Sequence, residues 1–312
     1  MKTKILGVAL SLALLTSLFV FAAPASAKLH ETEFQIVKEA VAEYLADRPG
    51  NIKAVDLYAL ISDDDKKNDP YIVSIRSQKW YDAGHIPGAV RMDFSDITKI
   101  SKNKDVVLYC YTGQTASTAK AVLGVLGYDV TNLQHGMCSW TTVSTYLAGC
   151  FNSSKQKDFT VESTPNSPTG PYSYPELDNT NAVSPNNILK AAAQAVTSKK
   201  ISSTSLNSKI LAGDDMTIID MRSPGRYAYA HIPGAINIRL PNLVANLSDI
   251  NPDAPVYVYC YTGHTAGEAA ALLNMLGYDA YSLSYGMCSW TPNPLILAGC
   301  FDASTVVDYP VE

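Results

Sequence analysis

Asp105-Val-Val-Leu-Tyr-Cys110-Tyr-Thr-Gly-Gln-Thr115 is the stretch that decides the fold, because it returns almost unchanged as Val256-Tyr-Val-Tyr-Cys260-Tyr-Thr-Gly-His-Thr265. In each, a short apolar run suited to a buried strand leads into a cysteine. A glycine-containing loop follows, and then a small-residue and aliphatic segment with helical character, Ala116 to Leu126 or Ala266 to Leu276. A strand delivering a cysteine to a tight loop before a helix N-terminus is an anion site in outline. Successive backbone N–H groups form a nest, and the unsatisfied amides and dipole of the helix add to it. These features stabilise a thiolate and hold an anion beside it. A free cysteine is more often a small buried hydrophobe. Its placement at a strand end, twice, favours a reactive thiol.

Working outward, the repetition continues. Leu126-Gly-Tyr-Asp129 matches Leu276-Gly-Tyr-Asp279, Gly136-Met-Cys-Ser-Trp-Thr141 matches Gly286-Met-Cys-Ser-Trp-Thr291, and Leu147-Ala-Gly-Cys-Phe151 matches Leu297-Ala-Gly-Cys-Phe301 at one offset. His85-Ile-Pro-Gly-Ala89 matches His231-Ile-Pro-Gly-Ala235 at a slightly smaller offset, so the second copy holds a short insertion between Ala235 and Cys260. Further strands are expected at Tyr71 to Ile75, Thr217 to Asp220, Asp129 to Leu133 and Asp279 to Leu283. Strands alternating with helices predict an α/β fold, a mainly parallel sheet flanked by helices in each copy, with sites outside the carboxyl ends of the strands.

The expected organisation is a signal peptide over 1–27, domain one over 28–151, a linker over 152–185 and domain two over 186–312. Lys2 and Lys4, the apolar run from Ile5 to Phe21 and Ala25-Ser-Ala27 read as a secretion signal. Export, to a periplasm or outside the cell, is therefore expected, with no stable membrane insertion after cleavage. About 285 residues would remain, comfortable for two domains. The linker region is rich in Ser, Thr, Asn and Pro, and is long enough to wrap a neighbouring domain. Glu31 to Leu45 is an amphipathic helix candidate, with Phe34, Val37, Val41 and Leu45 packing onto the first domain. Net charge is −5 with no basic tract, which argues against nucleic acid as a partner.

Arg76…Gly84-His-Ile-Pro-Gly-Ala89, a strand ending in Cys110-Tyr-Thr-Gly-Gln-Thr115, and Gly136-Met-Cys-Ser-Trp140, with their second-copy counterparts from Arg222 to Trp290, resemble the rhodanese (sulfurtransferase) domain. The resemblance covers most of each copy and implies transfer of sulfane sulfur through a cysteine persulfide, with Cys110 and Cys260 catalytic and no metal or organic cofactor. The substrate-binding loops would be Tyr111, Thr112, Gly113, Gln114 and Thr115, and Tyr261, Thr262, Gly263, His264 and Thr265. The resemblance also implies that loops of this six-residue length favour sulfur substrates, where a loop one residue longer would suit phosphatase-like relatives. Both loops end in threonine, where members that use thiosulfate commonly carry a basic residue. Without a guanidinium clamp a divalent anion binds less well, so polysulfide or persulfide donors are expected over thiosulfate. The partner is then a small sulfur-containing substrate or a thiol acceptor protein. The competing reading is a non-catalytic or redox partner-binding module.

Smaller readings follow from the differences between copies. His264, opposite Gln114, is either a partly cationic aid to anion binding or a solvent-facing substitution. Ser74 stands where the second copy has Asp220, which suggests a less active first domain. For Arg76 and Arg222, which could help shape the site, the resemblance implies structural ion pairs, with Asp82 a candidate partner for Arg76. His85 and His231 read as turn anchors, and Trp140 and Trp290 as residues packing a helix on the sheet. The other four cysteines have three readings: disulfides Cys138–Cys150 and Cys288–Cys300 stapling a C-terminal helix to the sheet, a resolving role for Cys138, or a three-cysteine metal site. An oxidising compartment and the lack of C-x-x-C spacing favour disulfides, each contributing roughly 3 kcal/mol by the chain-entropy model.

Overall fold

The computed structural model describes residues 32–177 and 184–312. The signal segment lies outside the described residues, as does 178–183 within the expected linker. No described helix is long and apolar enough to cross a membrane.

Thr32 caps α1 (Glu33–Ala46), accepting from the Gln35 N–H, and the helix buries Phe34, Val37, Val41 and Tyr44. Then come β1 (Asn51–Ile52), α2 (Ala54–Ser62), β2 (Tyr71–Ser74), α3 (Gln78–Ala83), β3 (Val90–Arg91), β4 (Val106–Tyr109), α4 (Gln114–Val125) and β5 (Val130–Leu133). The second half repeats the series as α5 (Pro185–Ala195), β6 (Lys200–Ile201), α6 (Ser203–Ala212), β7 (Thr217–Asp220), α7 (Pro224–Tyr229), β8 (Ala235–Asn237), β9 (Val256–Tyr259), α8 (His264–Met275) and β10 (Ala280–Leu283), with a short α9 (Met287–Trp290). The insertion foreseen in the second copy carries an extra 3-10 turn, Leu240–Asn242, which packs against α1.

Each half is a five-stranded sheet, β1-β5-β4-β2-β3 and β6-β10-β9-β7-β8, with every pairing parallel. Such a sheet is covered on both faces, which is why its central strands, Val-Val-Leu-Tyr and Val-Tyr-Val-Tyr, are buried at every position. The two halves dock through α4 and α8, the most extensive contact between elements of the fold. Both helices are rich in small residues, so their backbones approach closely and nearly every position is buried. Helix α1 therefore does more than pack on the first domain. It lies against α4, α5 and the inserted turn of the second half.

The connection after each half crosses to the other half. Phe159 and Val161 join the core around Trp290, and Tyr309 and Val311 join the core around Trp140. Trp290 Nε1 donates to the Thr160 carbonyl at 2.9 Å, and Trp140 Nε1 to the Pro310 carbonyl at 2.8 Å. Glu162 pairs with His231 at 3.3 Å and Glu312 with His85 at 3.8 Å. The tryptophans thus hold an exchanged segment, and the histidine turns each receive a carboxylate from the other half's tail.

Candidate functional site

Cys110 and Cys260 are free, buried thiols immediately after β4 and β9, at the carboxyl ends of the sheets. The helices that follow begin two residues earlier than the sequence suggested, at Gln114 and His264, with Gly113 and Gly263 as N-caps at φ 78° and 86°. That left-handed backbone favours glycine, and it turns the chain so that Gly263 N–H donates to Cys260 Sγ at 3.1 Å. A second backbone layer supports each loop. The Met137 and Cys138 N–H groups donate to the Cys110 and Tyr111 carbonyls, and those of Met287 and Cys288 to the Cys260 and Tyr261 carbonyls. Gly136 and Gly286 make that contact possible, since a Cβ there would stand 2.4 or 2.3 Å from the cysteine carbonyl.

The remaining four cysteines form Cys138–Cys150 and Cys288–Cys300. The pairing is the expected one, but what it staples differs. Residues 144–146 form only a 3-10 turn and no helix stands there. The disulfides fix the root of each exchanged tail to the segment beneath a cysteine loop. Immediately beyond, Phe151 packs on Tyr285 and Phe301 on His135, with ring centroids 5.5 and 5.3 Å apart. These rings, Thr112, Thr262 and the disulfide cysteines Cys138 and Cys288 close a small cavity between the loops.

The expected loop residues divide by task. Tyr111 OH bonds Ser77, accepting from its N–H and donating to its Oγ, both at 3.1 Å. Tyr261 lies against the Arg222 guanidinium, 5.5 Å from the ring centroid. Thr115 Oγ1 accepts from Lys200 Nζ of the second half at 2.6 Å. A cation therefore stands at the end of the Cys110 loop after all, supplied across the interface. Thr265 is half-buried at the second position of α8. Gln114 and His264 reach across the interface to the opposite loop. His264 is 4% exposed, and burial pulls its imidazole below the ordinary range against the opposing pull of the Thr112 carbonyl. It does not face solvent, which corrects that reading of the position, and burial disfavours the cationic form.

Of the two buried arginines, Arg222 stands in the expected structural ion pair and Arg76 does not. Arg222 is bridged by Asp220 (Nη2 to Oδ2 2.7 Å), whose carboxylate also accepts from Tyr259 OH at 2.8 Å. Arg76 is not paired with Asp82, which accepts from Gln78 instead. Its guanidinium donates to the Gly84 and Tyr146 carbonyls and to Ser74 Oγ at 3.4 Å. With serine in place of Asp220, carbonyl oxygens solvate a buried cation that has no carboxylate.

Sequence reasoning missed His135 and Tyr285, which hold positive φ directly before the supporting glycines. His135 lies between Phe301 and His264, and burial first, then His264, push its imidazole down to about 3. The unfolded chain titrates this group near about 6.5. Between these values the unfolded state holds the extra proton, so the stability contribution is complete above about pH 6.5 and falls as pH drops. The loss is about 3 kcal/mol between pH 7 and pH 4. His135→Asn, a residue that tolerates left-handed backbone, is expected to remove that part of the acid sensitivity. Urea unfolding at several pH values checks this, and equal slopes for both proteins would exclude it.

A family model described as the rhodanese-like domain matches residues 53–142 and again 203–293, more than half of the chain. The chain belongs to the rhodanese-like domain family. Both rhodanese-like units contain the strand, cysteine loop and helix described above. Among similar proteins, the thiosulfate sulfurtransferase GlpE of Pseudoalteromonas translucida is 31% identical over 83 residues, covering 26% of this chain and 79% of its own. A sulfurtransferase of Allochromatium vinosum is 29% identical over 97 residues, 31% of this chain and 91% of its own. A solved rhodanese-like domain protein from Staphylococcus aureus is 28% identical, with 30% of this chain and 90% of that one covered at a TM-score of 0.29. At the level of the family these relatives support sulfur transfer in general.

Proposed function

We propose that this rhodanese-like protein is an exported sulfurtransferase in which Cys110 and Cys260 carry sulfane sulfur as persulfides. The observation that carries the reading is the division among six cysteines. Four are locked in disulfides, and the two left free sit at the strand–helix junctions, where a backbone N–H already addresses one sulfur. The cysteine thiolate attacks the terminal sulfur of a polysulfide and the adjacent S–S bond breaks. The donor leaves one sulfur shorter, and the enzyme holds Cys–S–S⁻. An acceptor thiolate or cyanide then takes the outer sulfur and returns the thiolate. The Gly263 N–H aimed at Cys260 Sγ would stabilise the charge there at both stages. Two structural disulfides are in keeping with an oxidising compartment and support export to a periplasm or beyond the cell.

Polysulfide or persulfide donors are proposed over thiosulfate, because neither loop contains a guanidinium. Lys200 weakens that argument for the Cys110 loop, so it applies in full to Cys260. Intact-mass analysis after exposure to polysulfide is expected to show adducts of about 32 Da, one sulfur per reactive thiolate. They should vanish in the Cys110→Ala, Cys260→Ala double variant. Adducts that persist there sink the assignment, and equal loading from thiosulfate sinks the donor preference.

A further inference from the structure

Each cysteine loop is touched by the fifth residue of the other. His264 Nε2 lies 2.9 Å from the Thr112 carbonyl oxygen, and His264 Nδ1 2.7 Å from its own Thr262 Oγ1. The shorter of two contacts at Nε2 decides the tautomer, since the His135 N–H also approaches that nitrogen, at 3.4 Å. A carbonyl can only accept, so Nε2 bears the hydrogen and Nδ1 accepts from the threonine hydroxyl. In the reverse direction, Gln114 Oε1 accepts from Tyr285 N–H at 3.1 Å, at the base of the segment that supports Cys260. The fit is tight on both sides. A Cβ on Gly113 would stand 2.6 Å from His264 Nε2, and one on Gly263 2.7 Å from Gln114 Oε1.

We infer that His264, although carried by the Cys260 loop, is a positioning residue for Cys110 of the opposite unit. The Thr112 carbonyl and the Gly113 N–H belong to one trans peptide and point in opposite directions. Holding the carbonyl toward His264 therefore turns the Gly113 N–H back into the Cys110 loop. The counterpart N–H in the other loop, Gly263, is the one that donates to Cys260 Sγ. Without the imidazole, the Thr112–Gly113 peptide loses its partner from the opposite loop and is held less firmly. The amide dipole that would face sulfur on Cys110 is then no longer fixed in advance. The two rhodanese-like units are thereby coupled at their reactive loops, and the thiol of the first depends on a side chain of the second.

The inference rests on Cys110 being the reactive thiol of its unit, but its test does not require sulfur transfer. Alkylation by iodoacetamide is followed in Cys260→Ser protein, which reports Cys110, and in Cys110→Ser protein, which reports Cys260. His264→Leu fills the space without a donor and is expected to slow Cys110 about ten- to a hundredfold, as loss of a preorganised donor does. Cys260, in the same loop as the substitution, should slow by at least about tenfold less. His264→Gln restores an N–H donor at the length found at position 114 and should recover most of the Cys110 rate. A slowing shared equally, a slowing confined to Cys260, no slowing, or failure of glutamine to rescue would each overturn the inference. If neither cysteine ever takes up sulfur, the functional reading fails while this pattern still stands or falls alone.

Discussion

Glu268→Ala is expected to lower the stability of the folded chain by about 3–5 kcal/mol, the usual cost of stranding a buried charge by removing its partner. Glu268 lies in α8, fully buried at the junction of the two units. Arg48 grips it with two nitrogens, Nε to Oε2 at 2.5 Å and Nη2 to Oε1 at 2.8 Å, and Tyr44 OH donates to Oε2 at 2.9 Å. Lys120 of α4, equally buried, stands 3.4 Å from Oε1 and also donates to the Pro49 and Gly50 carbonyls. Burial pulls the Lys120 ammonium below the usual lysine range, and Glu268 opposes that shift. With the carboxylate gone, Arg48 can turn to solvent, but Lys120 cannot. The Lys120→Met, Glu268→Leu protein should regain most of the loss, because a well-packed apolar pair replaces the ions. Urea unfolding measures both. A loss below about 1 kcal/mol for the single variant would mean that the charges are solvated more fully than their burial implies.

The second large effect concerns the exchanged tail. Removing residues 308–312 should cost about 3–5 kcal/mol by uncovering core surface and leaving buried donors unmatched. The segment supplies the acceptor for Trp140 Nε1, the Tyr309 ring stacked 4.6 Å from that of Tyr58, and paired backbone bonds between His85 and Glu312. Asp308 meanwhile accepts from the Thr141 and Thr142 hydroxyls. All of these contacts lie on the first unit, although the segment follows the second. Hydrogen exchange should accordingly quicken around β1, β2 and Trp140 more than in the second sheet. Quickening confined to the second sheet would contradict the exchange of tails.

The parts legible in the sequence are those fixed within one copy. Val106 to Tyr109 and Val256 to Tyr259 read as buried strands because a doubly covered parallel strand needs apolar residues at every position. The disulfide pairing was legible from spacing and expected compartment. What escaped depends on docking. Nothing local says that Lys120 or Glu268 is buried, since each is a normal surface residue until α4 meets α8. The roles of Gln114 and His264 are hidden for the same reason, because their partners lie in the other copy. Asp82 is one candidate partner for Arg76 in the sequence, whereas the environment of that guanidinium is made by carbonyls of Gly84 and Tyr146. The tail exchange did leave a signal. Asp158-Phe-Thr-Val-Glu162 and Asp308-Tyr-Pro-Val-Glu312 keep the repeat's offset beyond the disulfides, where linker composition drew attention away from them.

The crossed tails also set an order of events during synthesis. A ribosome finishes the first sheet, its cysteine loop and Trp140 long before residues 308–312 are made, so the slot beside Trp140 must wait, open, for the whole second unit to emerge. The second unit has no such delay, because residues 159–162 precede it and are ready when Trp290 arrives. The half that is translated first is therefore the half completed last.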